Sequence, residues 1–218
     1  MDRYNALRLG KIAGQEVTFL SRREGDQRSE WGNVNKPPAT WGIPQRLYLK
    51  IGALVMILAN KRVEGPPPQP YLYVNGDLGI VEQADETTAW IRLHRTGQTV
   101  PVLYVRREKL VPCDAARRKE LRESGQEEKI ADGGKYEITG WVEYMPLRVA
   151  YATTVHKSQG LSLDAVQVNL GDPFFKTSGM CYVALSRCRT VEGLRLIGTT
   201  AALAERCTVH PKLQGRFL

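Results

Sequence analysis

Residues 147–197 constrain the fold more than any other stretch, because they read in order as an apolar run, a polar turn, an alternating run, a helical stripe and a last apolar run. The segment LRVAYA at 147–152 is apolar enough for a buried strand, TTVHKSQG is a turn, and DAVQVNL at 164–170 alternates as a second strand. A helix is expected next, capped by Thr177 or Ser178, with residues 180–188 as its body and a short strand at 194–197 after it. Strand, loop, strand, helix, strand is the grammar of an α/β layer. Residues 10–20, with GQEVTFL, offer that layer one more strand.

Upstream the grammar differs. Two irregular stretches, 21–44 and 114–135, carry charges, glycines and prolines and read as exposed connections, the second holding a short solvated helix at 115–123. Between and beyond them lie short β-like runs at 53–58, 78–81, 89–93, 100–105 and 136–144, which predict a small antiparallel barrel inserted in the α/β layer. Asn75-Gly76 marks a tight turn. Tyr71, Tyr73, Trp90, Trp141 and Tyr144 are either barrel core or a base-stacking surface.

Composition narrows the function. The longest apolar run, 51–59, is nine residues, against the roughly 20 of a membrane-spanning helix, so membrane spanning is excluded. The start, MDRYNALRLGKIAG, lacks the apolar core of a secretory signal, so a cytoplasmic protein is expected. Cys113, Cys181, Cys188 and Cys207 form no C-x-x-C pair, and Cys181, Cys188, Cys207 and His210 lack the paired spacing of a zinc site, so no metal is expected. The net charge is +8, with nine basic against five acidic residues in 1–50, fourteen against fourteen in 51–150 and eight against four in 151–218. Basic ends around a neutral middle point to a polyanion such as nucleic acid.

Two places carry chemistry. Thr154, His156, Lys157, Ser158 and Gln159, before Gly160, gather hydroxyl, imidazole, ammonium and amide donors beyond an apolar strand, where α/β sheets collect ligands. These donors suit phosphate oxygens, and a solvated turn is the plain alternative. On the helix, Met180, Val183 and Arg187 share one stripe, so Arg187 is either paired internally or directed into a cleft. A guanidinium there suits a phosphoryl group that gains charge in transfer.

AYATTVHKSQGLSLDAVQVNL followed by GMCYVALSRCRTVEGLRLIG resembles the last two signature motifs of superfamily-one DNA helicases of the PIF and RecD-like type. LKIGALVMILAN, YVNGDLGIV and MPLRVAYA match in order the segments that run through an inserted barrel and back, and DRYNALRLGKIAGQEVTF resembles the stretch after the fourth motif. The resemblance implies an incomplete RecA-like domain of the P-loop NTPase class, the second motor domain, with an inserted small antiparallel β-barrel of Src-homology-three type. It divides the chain into 1–44 (first part of that domain and a connection), 45–145 (barrel, with the charged connection at 114–135) and 146–218 (second part, with both motifs). It assigns Thr154, His156, Lys157 and Ser158 to single-stranded DNA, Arg187 to the arginine finger, and Gln159, Gly160, Ser186 and Arg189 to supporting roles. In the complete motor it implies ATP, Mg2+ and stepping in the five-prime to three-prime direction.

The match has a gap. No G-x-x-x-x-G-K-S/T loop occurs: Gly10-Lys11 is followed by Ile12, and Gly134-Lys135 by Tyr136. The expectation is therefore a motor half that binds no nucleotide or metal and hydrolyses no ATP alone, completed by a phosphate-loop RecA-like domain in cis or in trans. A non-enzymatic nucleic-acid-binding module with vestigial motor motifs is the alternative.

Overall fold

The structure, a computed structural model, describes residues 2–25, 43–171, 175, 177–198, 203, 207 and 208. His210 lies outside them, as does most of the 21–44 connection. Contacts divide the chain into two compact units, 2–151 and 152–218.

The first unit opens with helix α1 (Asp2–Gly10) and strands β1 (Glu16–Leu20), β2 (Arg22–Gly25), β3 (Arg46–Lys50), β4 (Leu54–Ile57), β5 (Lys61–Arg62) and β6 (Tyr71–Tyr73). It continues through β7 (Leu78–Ala84), β8 (Thr88–Leu93), β9 (Thr99–Leu103), β10 (Val105–Pro112), helix α2 (Ala115–Glu123), β11 (Ile130–Ala131), β12 (Tyr136–Tyr144) and β13 (Leu147–Val149). The helix lies where the charge pattern puts it, and Asp114 caps it by accepting from the Arg117 amide at 2.8 Å.

Its main sheet is antiparallel in the order β13-β4-β7-β8-β9, and among the described residues no pairing joins its two edges. Alternation explains the core: Val55 and Ile57, Ala89, Ile91 and Leu93, and Val100 and Val102 all point inward, joined by Phe19, Leu49, Tyr73, Val81 and Leu147. A second sheet sets β12 between β10 and β11, with β2 also paired to β12. Gly79 is fixed by crowding, since a Cβ there would lie 2.5 Å from Ile91 Cγ2 and 2.6 Å from the Arg92 carbonyl oxygen.

Two strand expectations change. Residues 16–20 pair antiparallel with β3 inside the first unit, not with the later α/β layer. Leu147–Val149, expected to open that layer, pairs with β4, and Leu147 is 2% exposed against the first unit's core. Its apolar run suits any buried strand, so the sequence does not choose the partner. The turn expected at Asn75-Gly76 forms, with the Asp77 amide donating to the Val74 carbonyl at 3.0 Å and Gly76 at φ +98°, and it links two strands that pair elsewhere. β6 pairs with β5, while β7 pairs with β4 and β8. The aromatic set divides too: Tyr73 is core, Tyr71 is exposed beneath the Arg62 guanidinium, and Trp141 lies beneath Arg106.

The second unit contains helix α3 (Val155–Ser158), β14 (Val166–Asn169), helix α4 (Met180–Leu185) and β15 (Leu194–Ile197). β14 and β15 are parallel, joined through α4 as a strand-helix-strand crossover. Val168, Leu170, Phe175, Cys181 and Ala184 form its core. The architecture is thus mixed α/β, and among the described residues no helix is long and apolar enough to cross a membrane.

Candidate functional site

The polar turn folds as a capped single turn of helix. Thr154 is extended at the cap (φ −77°, ψ 153°), and its hydroxyl accepts the Lys157 amide at 3.2 Å. Ser158 is 5% exposed and its hydroxyl donates to the Val155 carbonyl at 2.8 Å, so it anchors the turn from inside. His156, Lys157, Gln159 and Gly160 are exposed on the turn and just past it. Gly160 takes φ +83°, a left-handed conformation that ends the helix at little cost only for glycine.

The Arg187 side of the site is built differently from its sequence reading. α4 stops at Leu185, and its cap is Gly179 at φ +81°, without the side-chain cap expected from Thr177 or Ser178. Arg187 therefore sits in the turn after the helix, and its guanidinium folds back. Its Nε donates to the Val183 carbonyl at 2.9 Å, Nη1 to the Leu161 carbonyl at 3.2 Å and Nη2 to the Ser186 hydroxyl at 2.9 Å. All three acceptors are neutral, so none of these partners offsets the guanidinium's charge with a carboxylate.

The same segment binds the loop after the polar turn through its backbone. The Leu163 amide donates to the Arg187 carbonyl at 2.8 Å, the Arg189 amide donates to the Leu163 carbonyl at 3.0 Å, and Leu163 and Cys188 form a parallel bridge. Arg189 Nη1 reaches Asp164 Oδ1 at 2.9 Å, with both side chains more than half exposed (57% and 76%). A surface pair of that kind contributes about 0–1 kcal/mol, so Arg189 is cheaply released to another anion. Nearby, the Glu192 carboxyl is held below its ordinary range by its own backbone N–H and by the Thr190 hydroxyl.

The fold thus brings Arg187, Ser186 and Arg189 to the loop that follows Thr154–Gly160. Sequence reading missed the carbonyls of Leu161 and Val183, since a backbone acceptor leaves no residue-type signal. It also missed Asp164 as a partner for Arg189, although its charge two residues before β14 was a usable clue. Gly193 is a further position: a Cβ there would overlap the Asp164 carbonyl oxygen, which the strand entry at Val166 needs close by. Among the described residues no group of three His, Cys, Asp or Glu side chains is placed to hold a metal ion.

No family model matches the chain. The ATP-dependent DNA helicase Pif1 of Bdellovibrio bacteriovorus is 33% identical over 197 residues, which cover 90% of this chain and 37% of that protein. The ATP-dependent DNA helicase PIF1 of Rattus norvegicus is 51% identical over 193 residues, covering 88% of this chain and 25% of that protein. The crystal structure of Bacteroides sp Pif1 in complex with ADP-AlF4 superposes with a TM-score of 0.65 at 25% identity, covering 93% of this chain and 39% of that one. That of Bacteroides Pif1 bound to ssDNA gives 0.63 at 25% identity, over 97% and 41%. These matches place the chain among the superfamily-one DNA helicases of PIF type. Within that class the chain belongs to the Pif1 family, and it spans 37% and 25% of the lengths of the two relatives above.

Proposed function

We propose that this chain is the second motor domain of an ATP-dependent DNA helicase, stepping five-prime to three-prime in the complete enzyme. In this reading residues 152–218 are part of a RecA-like domain, and the sheet of β13, β4, β7, β8 and β9 is an inserted small barrel of Src-homology-three type. Thr154, His156 and Lys157 hold the backbone of single-stranded DNA, Ser158 anchors their turn from inside, Gln159 and Gly160 complete it, and Arg187 acts as the arginine finger, supported by Ser186 and Arg189.

One observation carries the reading: the Arg187 guanidinium donates to the carbonyl of Leu161, the residue directly after Gly160. A rigid hydrogen-bonded link of this kind lets a movement of the strand-holding turn be felt at the finger. Three of the five guanidinium N–H groups are used internally, leaving two donors and a full positive charge for phosphate oxygens. Support also comes from the relatives, whose solved structures include one with ADP-AlF4 and one with single-stranded DNA.

Arg187 fits the part of a phosphate-facing cation, whereas the cradle for the phosphates and the ligands for Mg2+ belong to a phosphate-loop RecA-like domain, in cis or in trans. ATP bound there supplies the phosphoryl group. An arginine finger contributes roughly 10³–10⁵ in rate, about 4–7 kcal/mol, only when nucleotide and metal already stand opposite it. This chain alone therefore does not turn over ATP. The test is complementation: joining the chain to a phosphate-loop domain of a Pif1 relative restores DNA-stimulated ATPase that neither part has alone. A joined protein that binds DNA and stays inactive points instead to a non-enzymatic nucleic-acid-binding module.

A further inference from the structure

Two of the four cysteines meet in the second unit. Cys181, on α4, is 0% exposed within the cluster of Val168, Leu170, Phe175 and Ala184. Cys207 is exposed, and its Sγ donates to Cys181 Sγ at 3.1 Å. The segment bearing Cys207 is held in place: the Gly179 amide donates to the Thr208 carbonyl at 2.9 Å, and the Cys207 amide donates to the Leu203 carbonyl at 2.9 Å. The Thr208 hydroxyl also reaches Ser178 Oγ at 3.4 Å. The two sulfurs need an approach of only about 1 Å to reach the 2.03–2.05 Å of a disulfide. The helix that carries Cys181 precedes the turn that carries Arg187.

We propose that Cys181 and Cys207 are a peroxide-responsive thiol pair that closes reversibly into a disulfide, stapling the segment at 207–208 to α4. The inference is independent of the motor reading. The exposed Cys207 is the sulfur that meets the oxidant, because burial pushes the Cys181 thiol up to about 12 and keeps it protonated. Cys207 thiolate attacks hydrogen peroxide: an S–O bond forms, the O–O bond breaks, and hydroxide leaves and takes up the proton that Cys207 lost, giving water. Sulfur is oxidised to a sulfenic acid and the peroxide is reduced. Cys181 sulfur then attacks Cys207 sulfur, the S–S bond forms, the S–O bond breaks, and a second water leaves with the Cys181 proton. Two thiols and one peroxide become one disulfide and two waters. Closeness of the resolving sulfur is what diverts the sulfenic acid from further oxidation.

The test treats the full chain with hydrogen peroxide, alkylates the remaining thiols and maps the products by mass spectrometry. The expected result is a mass loss of two hydrogens, a crosslinked peptide pair containing Cys181 and Cys207, labelled Cys113 and Cys188, and full reversal by dithiothreitol. The oxidised chain should also melt several degrees higher than the reduced one, because the link closes a loop in the unfolded chain. Cys207→Ser, at an exposed position, should abolish both the crosslink and the oxidation-dependent shift while leaving the reduced melting temperature unchanged. Conversion of Cys207 to sulfinic or sulfonic acid without a crosslink would overturn the proposal, as would a disulfide that joins Cys113 or Cys188.

Discussion

Thr154→Val tests how the polar turn is held. Valine keeps the β-branched shape and tolerates the extended backbone at the cap, so the change removes little besides the hydroxyl. The turn has only four residues, and its other local bonds include the Ser158 amide to the Thr154 carbonyl at 3.0 Å, the Gln159 amide to the His156 carbonyl at 3.3 Å and the Ser158 hydroxyl to the Val155 carbonyl at 2.8 Å. Losing the 3.2 Å bond to the Lys157 amide should cost about 1 kcal/mol, a factor of about five in the opening equilibrium. Hydrogen exchange at the Lys157 amide reads this directly and should accelerate about fivefold, with Thr154→Ser restoring the parent rate. Opening of the turn can weaken single-strand affinity by no more than that factor, so a larger fall assigns the hydroxyl itself to the DNA. An unchanged exchange rate at Lys157 in the valine variant refutes the argument, because the cap would then hold nothing.

Three further expectations follow from other contacts. Gly79→Ala forces a methyl group against Ile91 and the Arg92 carbonyl, an overpacking cost of about 1–3 kcal/mol that should lower the melting temperature by several degrees; an unchanged value would mean β7 and β8 separate freely. The Asp85 carboxylate accepts from the Thr87 amide, the Thr87 hydroxyl and the Thr88 amide at 2.7, 2.9 and 2.8 Å, which holds it below its ordinary range. A lowered folded value gives stability that is complete above about pH 4 and lost as pH falls through the folded value, so urea midpoints of Asp85→Asn should decline less steeply in acid than the parent's. Lys157→Ala should flatten the dependence of log affinity for single-stranded DNA on log salt by about 0.7, whereas Thr154→Val should leave that slope alone; equal slopes for parent and Lys157→Ala would remove Lys157 from the backbone contact.

Local elements with a one-dimensional signal were legible. Alternation placed β14, short β-like or apolar runs placed β8, β12 and β15, and a charged stretch placed α2. Strand partners were not legible, because LRV at 147–149 is equally apolar toward an α/β layer or toward β4, and only the three-dimensional core around Val55 and Ile57 decides. The same holds for Glu16–Leu20, which finds Arg46–Lys50 across a separation no periodicity records. At the site, side-chain chemistry pointed to Thr154–Gly160 and Arg187, while the carbonyls of Leu161 and Val183 that orient the guanidinium come from backbone geometry alone. The α4 cap was misread because Thr177 and Ser178 have the chemistry of a cap, whereas Gly179 supplies the positive φ that the entry to the helix requires.

Arg187 is proposed to sense nucleotide across from a phosphate-loop domain, and steady-state ATPase of the complete motor carrying Arg187→Ala tests that assignment. DNA-stimulated turnover should fall by about 10³ or more, with single-strand affinity held near the parent's. Turnover close to the parent's in a folded, DNA-binding variant would contradict it and return Arg187 to a purely structural tie between Val183 and Leu161.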